Sequence, residues 1–359
     1  QISTKTMVKP SIPANADGTT MKAVCFTSFG KTSDALSVQT IPKPCIELPT
    51  EVLIKVHACA LNPIDKLRLA GDLALLKPEQ YDVSVLGYDI AGTVEKVGDD
   101  ASKLYSVGDE VYVRLDGMKY GAMAEYVVCA TTEMAKKPSN ISFSEAASIP
   151  LAGLTALQAL RRGNVKEGSK VFIPGGAGGV GSLAIQIAKK MLKASHVCTT
   201  ASPGAGTDLC KKVGADRIVD YRSENVEEVL AGEDFDFALD TMNQASTFGN
   251  MLKKGSGKVV SISGTPTIEA ISAWGQPIPL AVRLFMFLSR NRAAEKAATK
   301  AGCTWEYIFM TPDGKDLAEI ATYVESGDIV PIIDTEAASL DEFKVAVDKL
   351  FSGRSKGKC

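Results

Sequence analysis

Histidine is almost missing from this chain, with His57 and His196 the only two in 359 residues. The eight cysteines are scattered, and no two stand as C-x-x-C. Those gaps argue against a structural zinc lobe and against a secreted disulfide framework, and they favour a reducing compartment. Basic excess is missing too. Forty Lys and Arg against 42 Asp and Glu give a formal net charge of −2, so no nucleic-acid partner is expected. No run is long and apolar enough to span a bilayer; the longest, Ile278 to Leu288, contains Pro279 and Arg283. No Ser/His/Asp or Cys/His arrangement emerges, and Cys25, Cys45, Cys59 and Cys129 read as small buried hydrophobes rather than nucleophiles. What remains is the composition of an ordinary globular protein, with enough chain for two domains that each have a core.

The most informative stretch is KVFIPGGAGGVG, residues 170–181. Val171 to Pro174 suit a short buried strand, and from Val180 the apolar residues Leu183, Ile185, Ile187 and Ala188 suit a helix. Gly176, Gly178 and Gly181 therefore stand at G-x-G-x-x-G spacing in a strand–turn–helix, with Ala177, Gly179 and Val180 between them. Glycine there permits a tight turn, lets backbone approach a pyrophosphate and lets the helix pack close on the strand. The helix N-terminus supplies free N–H groups and a positive dipole end for the anion. This predicts a dinucleotide-binding turn.

Two different grammars flank it. Residues 1–20 read as a Ser/Thr/Pro-rich tail: a flexible extension, or the remains of a presequence, which would place an otherwise cytoplasmic protein in an organelle. From Met21 the chain reads as short β-segments (Ala23–Phe26, Val52–Ala58, Ala91–Val97, Glu110–Val113, Ala124–Val128), which predicts a small barrel-like β-domain over 21–148. Over 149–299, strand-like runs near Val171, His196, Arg217, Phe235 and Lys258 alternate with helical stretches, which predicts a parallel, doubly wound sheet of the α/β class. A strand at Ile329–Ile333 and a helix at Leu340–Phe351 are assigned to a return into the first domain over 300–359. The segment Trp274–Met310, with Leu280, Leu284, Phe287 and Leu288 at near-helical spacing, reads as a helix packed on its own domain, or as a subunit contact or lid.

The ordered segments EVLIKVHACALNPIDKLRLAG, LGYDIAGTVEKVG, YSVGDEVY, LAGLTALQAL, VFIPGGAGGVGSLAIQIAK and GADRIVDY resemble the medium-chain dehydrogenase/reductase superfamily, in its zinc-independent quinone oxidoreductase branch of zeta-crystallin-like proteins and alkenal reductases. The resemblance runs from about Met21 to Gly357 and implies a GroES-like β-barrel catalytic domain beside a Rossmann domain, with the cofactor between them and a homodimer as the assembly. The zinc-ligand positions of the wider superfamily resemble Asn62 and the pair Tyr88–Asp89 here; Asn and Tyr are poor zinc ligands, so no metal is expected.

Cofactor choice is read at the end of the second strand of the wound sheet. None of residues 196–202 is acidic, while Thr200 and Ser202 offer hydroxyls to a 2′-phosphate. The resemblance adds Tyr221, with Arg222 beside it, whereas Pro203–Gly206 stand in the loop where the family usually carries a lysine. NADPH is therefore the expected cofactor. The resemblance further places Asn62 and Thr155 near the nicotinamide and the 261–264 backbone, including Ser263 and Gly264, beside its carboxamide. Asn62, Asp65 and Tyr88 are the candidate catalytic residues, and Leu67 stands where the family often has a tyrosine. A quinone or an α,β-unsaturated carbonyl is electrophilic enough to accept hydride without a Lewis acid, so NADPH-dependent reduction of such small molecules is the expected activity. The alternatives are an enoyl-thioester reductase of the same superfamily and a low-turnover NADPH-binding regulatory or structural protein.

Overall fold

The structure is a computed structural model that describes residues 17–74, 81–116, 121–272, 278, 280–289 and 291–359. Residues 1–16 of the expected tail, together with Trp274 and Pro279, lie outside the described residues. The first half of the chain forms eight strands: β1 (Thr20–Phe26), β2 (Ser37–Pro42), β3 (Glu51–Ala60), β4 (Ser84–Val85), β5 (Asp89–Val97), β6 (Glu110–Arg114), β7 (Tyr126–Ala130) and β8 (Met134–Lys136). They make a five-stranded antiparallel sheet ordered β7-β3-β5-β6-β8 and a three-stranded one ordered β2-β1-β4. Two register shifts along β3, at Leu53/Ile54 and Val56/Ala58, mark bulges of the kind that curl a sheet toward closure. Val52, Ile54, Ile90, Val94, Val111, Val113 and Val127 fill the interior of the larger sheet, the inward half of an alternating pattern.

The second half forms β9 (Lys170–Ile173), β10 (His196–Ala201), β11 (Arg217–Asp220), β12 (Phe237–Asp240), β13 (Lys258–Ser261) and β14 (Thr304–Tyr307). All five neighbouring pairs are parallel, in the order β11-β10-β9-β12-β13-β14. That order reverses direction beside β9, and in such sheets ligands bind at the carboxyl ends of the strands at the reversal. The chain leaves β9 there as PGGAGG.

The helix Pro150–Arg162 joins the two halves. Its Leu154, Leu157 and Leu160 are fully buried in a core that takes Ala60, Ala91 and Tyr112 from the β-domain and Ile173, Leu239 and Val260 from the wound sheet. The Tyr112 hydroxyl donates to the carbonyl of Leu317, 2.5 Å away on the helix Gly314–Glu325. The two domains therefore share one continuous core.

Two sequence expectations change. Thr304–Tyr307, expected in the return segment, is the sixth strand of the wound sheet and pairs with Lys258–Ser261, so that sheet extends past 299. Its sequence, TWEY, carries an acid in mid-strand, which an edge strand tolerates. Ile329–Ile333 is not a strand; it is bridged only at Ile333, to Lys358. Its apolar character comes from packing, since Ile329 is buried in the shared core. Phe343 and Val347, flanking and within the helix Lys344–Phe351, pack with Val24, Phe26, Leu61 and Leu86 of the β-domain. The helix Leu280–Ser289 leaves Leu280, Leu284 and Phe287 exposed. No helix among the described residues is long and apolar enough to cross a membrane.

Candidate active site

The glycine turn is held from both sides. Gly175 takes a positive φ of 69° and donates its N–H to Thr200 Oγ1 at 3.0 Å, while Gly176 donates to Thr200 O at 3.1 Å. Each glycine has a separate steric reason. A Cβ on Gly176 would overlap Thr199 Oγ1 and approach Cys210 Sγ at 2.9 Å, and one on Gly181 would overlap the carbonyl of Gly175. On Gly178 a Cβ would meet only Gly175 O, at 3.3 Å. Gly176 and Gly181 thus let helix Gly179–Gln186 sit close on the sheet, and Gly178 is the position open to a ligand.

Above the turn opens a groove of about 850 Å³. Ala177, Gly178, Thr200, Ser202, Tyr221 and Arg222, all expected there from the sequence, line it. Arg354 and Lys356 line it as well, from the end of the segment assigned to the return, where no site residue is expected. The available signal was spacing: Arg354, Lys356 and Lys358 alternate in GRSKGKC, and an extended chain puts alternate residues on one side. Gly179, Val180 and Gly181 open the helix behind the turn.

At the domain seam a second cluster forms around Asn62, the residue before helix Pro63–Ala70. Asn62 Nδ2 donates to Asp89 Oδ2 at 2.9 Å, and Asn62 Oδ1 accepts from the ammonium of Lys358. The same ammonium donates to Leu61 O at 3.0 Å and lies 3.4 Å from Asp89 Oδ2. The other carboxylate oxygen of Asp89 accepts from Leu151 N at 2.9 Å. Burial holds the Asp89 carboxyl above the usual carboxylate range, opposed chiefly by the Lys358 charge. Lys358 is the functional candidate that sequence reasoning missed.

The remaining candidates separate. Asp65 accepts from two backbone amides, Asn62 N at 2.7 Å and Gly87 N at 2.9 Å, so its carboxylate clamps the start of the helix against the 86–88 turn. Burial pushes it up to about 6. Tyr88 is buried, its ring flanked by the guanidinium carbons of Arg114 at 4.8 Å and Arg68 at 5.7 Å. Thr155 is buried on helix Pro150–Arg162. Ser263 Oγ is buried without a hydrogen-bond partner among the described residues, next to Gly264 with φ of 90°. Leu67 is exposed. Burial raises the thiols of Cys25 and Cys59 to about 12 and pushes Cys129 up, as expected for inert packing residues, whereas Cys45, expected to be buried with them, is exposed.

Comparison with known proteins agrees with this architecture. Residues 48–139 match the family model of the alcohol dehydrogenase GroES-like domain, and residues 213–359 that of the zinc-binding dehydrogenases. The 2-methylene-furan-3-one reductase of Solanum lycopersicum is 35% identical, over 99% of this chain and 81% of the relative. The human mitochondrial NAD(P)H oxidoreductase RTN4IP1 is 31% identical, over 99% of this chain and 93% of the relative. Among solved structures, the quinone oxidoreductase of Coxiella burnetii superposes with a TM-score of 0.78 at 30% identity, covering 95% of this chain and 98% of that one. With a GroES-like domain, a parallel six-stranded sheet in doubly wound order and a glycine turn at its reversal, the chain belongs to the medium-chain dehydrogenase/reductase superfamily, in its quinone oxidoreductase and alkenal reductase branch.

Proposed function

We propose that this protein is an NADPH-dependent reductase of quinones or α,β-unsaturated carbonyl compounds that works without a metal. The wall of the groove at the end of β10 carries the reading. Thr200 and Ser202 stand where an acid would accept from the ribose hydroxyls of NAD, and Tyr221 and Arg222 line the same groove. Pro203–Gly206 stand where the family usually carries a lysine, and the helix Ala205–Lys212 begins within this stretch, so its positive dipole end supplies charge of the required sign for a 2′-phosphate. Gly178 leaves room for a pyrophosphate, with Arg354 and Lys356 as its cationic partners. Ser263 Oγ, buried and without a hydrogen-bond partner among the described residues, suits the nicotinamide carboxamide, and Asn62 and Thr155 complete that end.

NADPH, when bound, supplies the hydride. The chain's own part is to orient the acceptor beside the Asn62 amide and exclude water, and the enolate or hydroquinone anion takes its proton from solvent or from a nearby hydroxyl. A divalent metal does not fit between Asn62 and Asp89. An ammonium already lies there, Asp89 is held by Leu151 N and Asn62 Nδ2, and the neighbouring Tyr88 ring faces two guanidiniums. Among the described residues no three His, Cys, Asp or Glu converge as a ligand set. With no Lewis acid to polarise an isolated carbonyl, the conjugated electrophiles are the substrates this site suits.

Fluorescence titration is expected to give tighter binding of NADPH than of NADH, and Arg222→Ala to narrow that preference about tenfold. NADPH consumption is expected with 9,10-phenanthrenequinone and short 2-alkenals and not with crotonyl-CoA. Tighter NADH binding would overturn the cofactor assignment. Turnover of crotonyl-CoA alone would make the protein a thioester reductase, and NADPH binding without turnover of any of these would remove the enzymatic reading.

A further inference from the structure

We propose that Lys358 is an internal cation that fixes the orientation of the Asn62 amide at the domain seam, and so is a positioning residue for the reaction; this rests on the hydride-transfer reading above. A side-chain amide can sit in either of two flipped orientations, and only its neighbours decide between them. Here they decide without ambiguity. An ammonium has three donors and no acceptor, and an ionised carboxylate only accepts. Lys358 Nζ donates to Asn62 Oδ1 and Asp89 Oδ2 accepts from Asn62 Nδ2, so a flipped amide would set NH₂ against the ammonium and oxygen against the carboxylate. Of the two Nδ2–H groups on the Asn62 amide, this network uses one among the described residues.

The geometry distinguishes this from an ordinary buried ion pair. The ammonium's contact with the Asp89 carboxylate, at 3.4 Å, is longer than its hydrogen bonds to Leu61 O and to Asn62 Oδ1. Its three donors thus match three acceptors, two of them the neutral oxygens of Leu61 and Asn62. The lysine also reaches the seam from the cofactor side. Gly357 N donates to Ala177 O at 2.9 Å, and a Cβ on Gly179 would come within 2.8 Å of Lys358 Cδ. One short peptide therefore braces the glycine turn and delivers the cation to Asn62.

Three variants separate positioning from stability: Lys358→Met, Asp89→Asn and the double variant. Lys358→Met alone removes the chief counter-charge of the buried Asp89 carboxylate, leaving it only the weaker pull of Arg114, and is expected to lower the melting temperature. The double variant removes both charges, and is expected to fold and to bind NADPH within about threefold of wild type. Its kcat with phenanthrenequinone is expected to fall about a hundredfold, the loss that a misplacement of about 1 Å produces. Asp89→Asn keeps the ammonium on Asn62 and is expected to lose less than about tenfold by the same rule. A double variant with wild-type kcat, or one no worse than Asp89→Asn, would overturn the proposal. Wild-type protein that reduces neither quinones nor enones would sink the functional reading instead. The orientation claim is then judged on the Asn62 side-chain amide protons, observed by NMR after ¹⁵N-asparagine labelling and assigned with Asn62→Asp. Slow exchange in wild type and Asp89→Asn with fast exchange in the double variant supports it, and equal exchange in all three overturns it.

Discussion

Asp65 shows how one buried carboxyl can hold two stretches of backbone together. Both of its oxygens accept from backbone amides, at 2.7 and 2.9 Å, and it is completely buried. Burial dominates and lifts its pKa from 3.8 to about 6, against the pull of the Asn62 amide and Arg68. The folded protein therefore takes up a proton between about pH 6 and pH 4 that the unfolded chain does not. This contribution to stability is fully present below the unfolded pKa and is lost as pH rises through about 6. Asp65→Asn removes the titration and turns one acceptor into a donor facing an N–H, which costs about 1–3 kcal/mol. Urea unfolding between pH 4.5 and 7.5 is expected to give a stability gap between wild type and variant that is widest at the acid end and narrows toward neutrality. A constant gap would mean that the carboxyl does not titrate in this window. In the sequence, Asn62 and Asp65 enter together as catalytic candidates because the family resemblance covers ALNPID as one stretch. What separates them is the partner each meets, a backbone amide at residue 87 and an ammonium at residue 358, and neither is encoded locally.

At the scale of elements, the glycine turn was legible because its physics is local: a four-residue strand, a tight turn and a helix, all within residues 170–186. Sequence spacing gave three equivalent glycines, whereas packing gives them different tasks. This yields a sharp contrast between two small substitutions. Gly178→Ala, whose Cβ would meet only Gly175 O at 3.3 Å, is expected to keep its melting temperature and lose NADPH affinity, since the methyl projects where a ligand would approach. Gly181→Ala would drive a methyl into the Gly175 carbonyl and is expected to destabilise the fold by about 1–3 kcal/mol as well as to lose affinity. Calorimetry with and without NADPH separates the two. Equal melting temperatures for both variants would contradict the packing argument. The strand expected at Ile329–Ile333 failed for the converse reason. An apolar run states only that residues are buried, and pairing is decided by a neighbour far along the chain, here a single bridge to Lys358.

At the scale of the whole molecule, the segment Arg354–Cys359 does what neither domain does alone. Arg354 and Lys356 line the groove above the glycine turn, Gly357 bonds to Ala177 of that turn, and Lys358 and the Cys359 carbonyl reach Asn62 and Leu61 of the β-domain. The shared core around Leu154, Leu157 and Leu160 already couples the two halves. A cofactor held between Thr200 and Tyr221 on one wall and Arg354 and Lys356 on the other should therefore stabilise both halves together. Ligand at a hundredfold excess over its Kd adds about 2.7 kcal/mol to stability, enough to raise the melting temperature of a chain of this size by several degrees. Saturating NADPH is expected to shift one cooperative transition upward as a unit. Arg354→Ala/Lys356→Ala is expected to melt near wild type without cofactor, because neither side chain is in the core, and to lose most of the NADPH-induced shift. Scanning calorimetry reads both outcomes. Two separated transitions, with only the one for the wound sheet moving on NADPH addition, would show that the terminal segment does not bridge the domains. A full shift in the double variant would remove its two cations from the cofactor site.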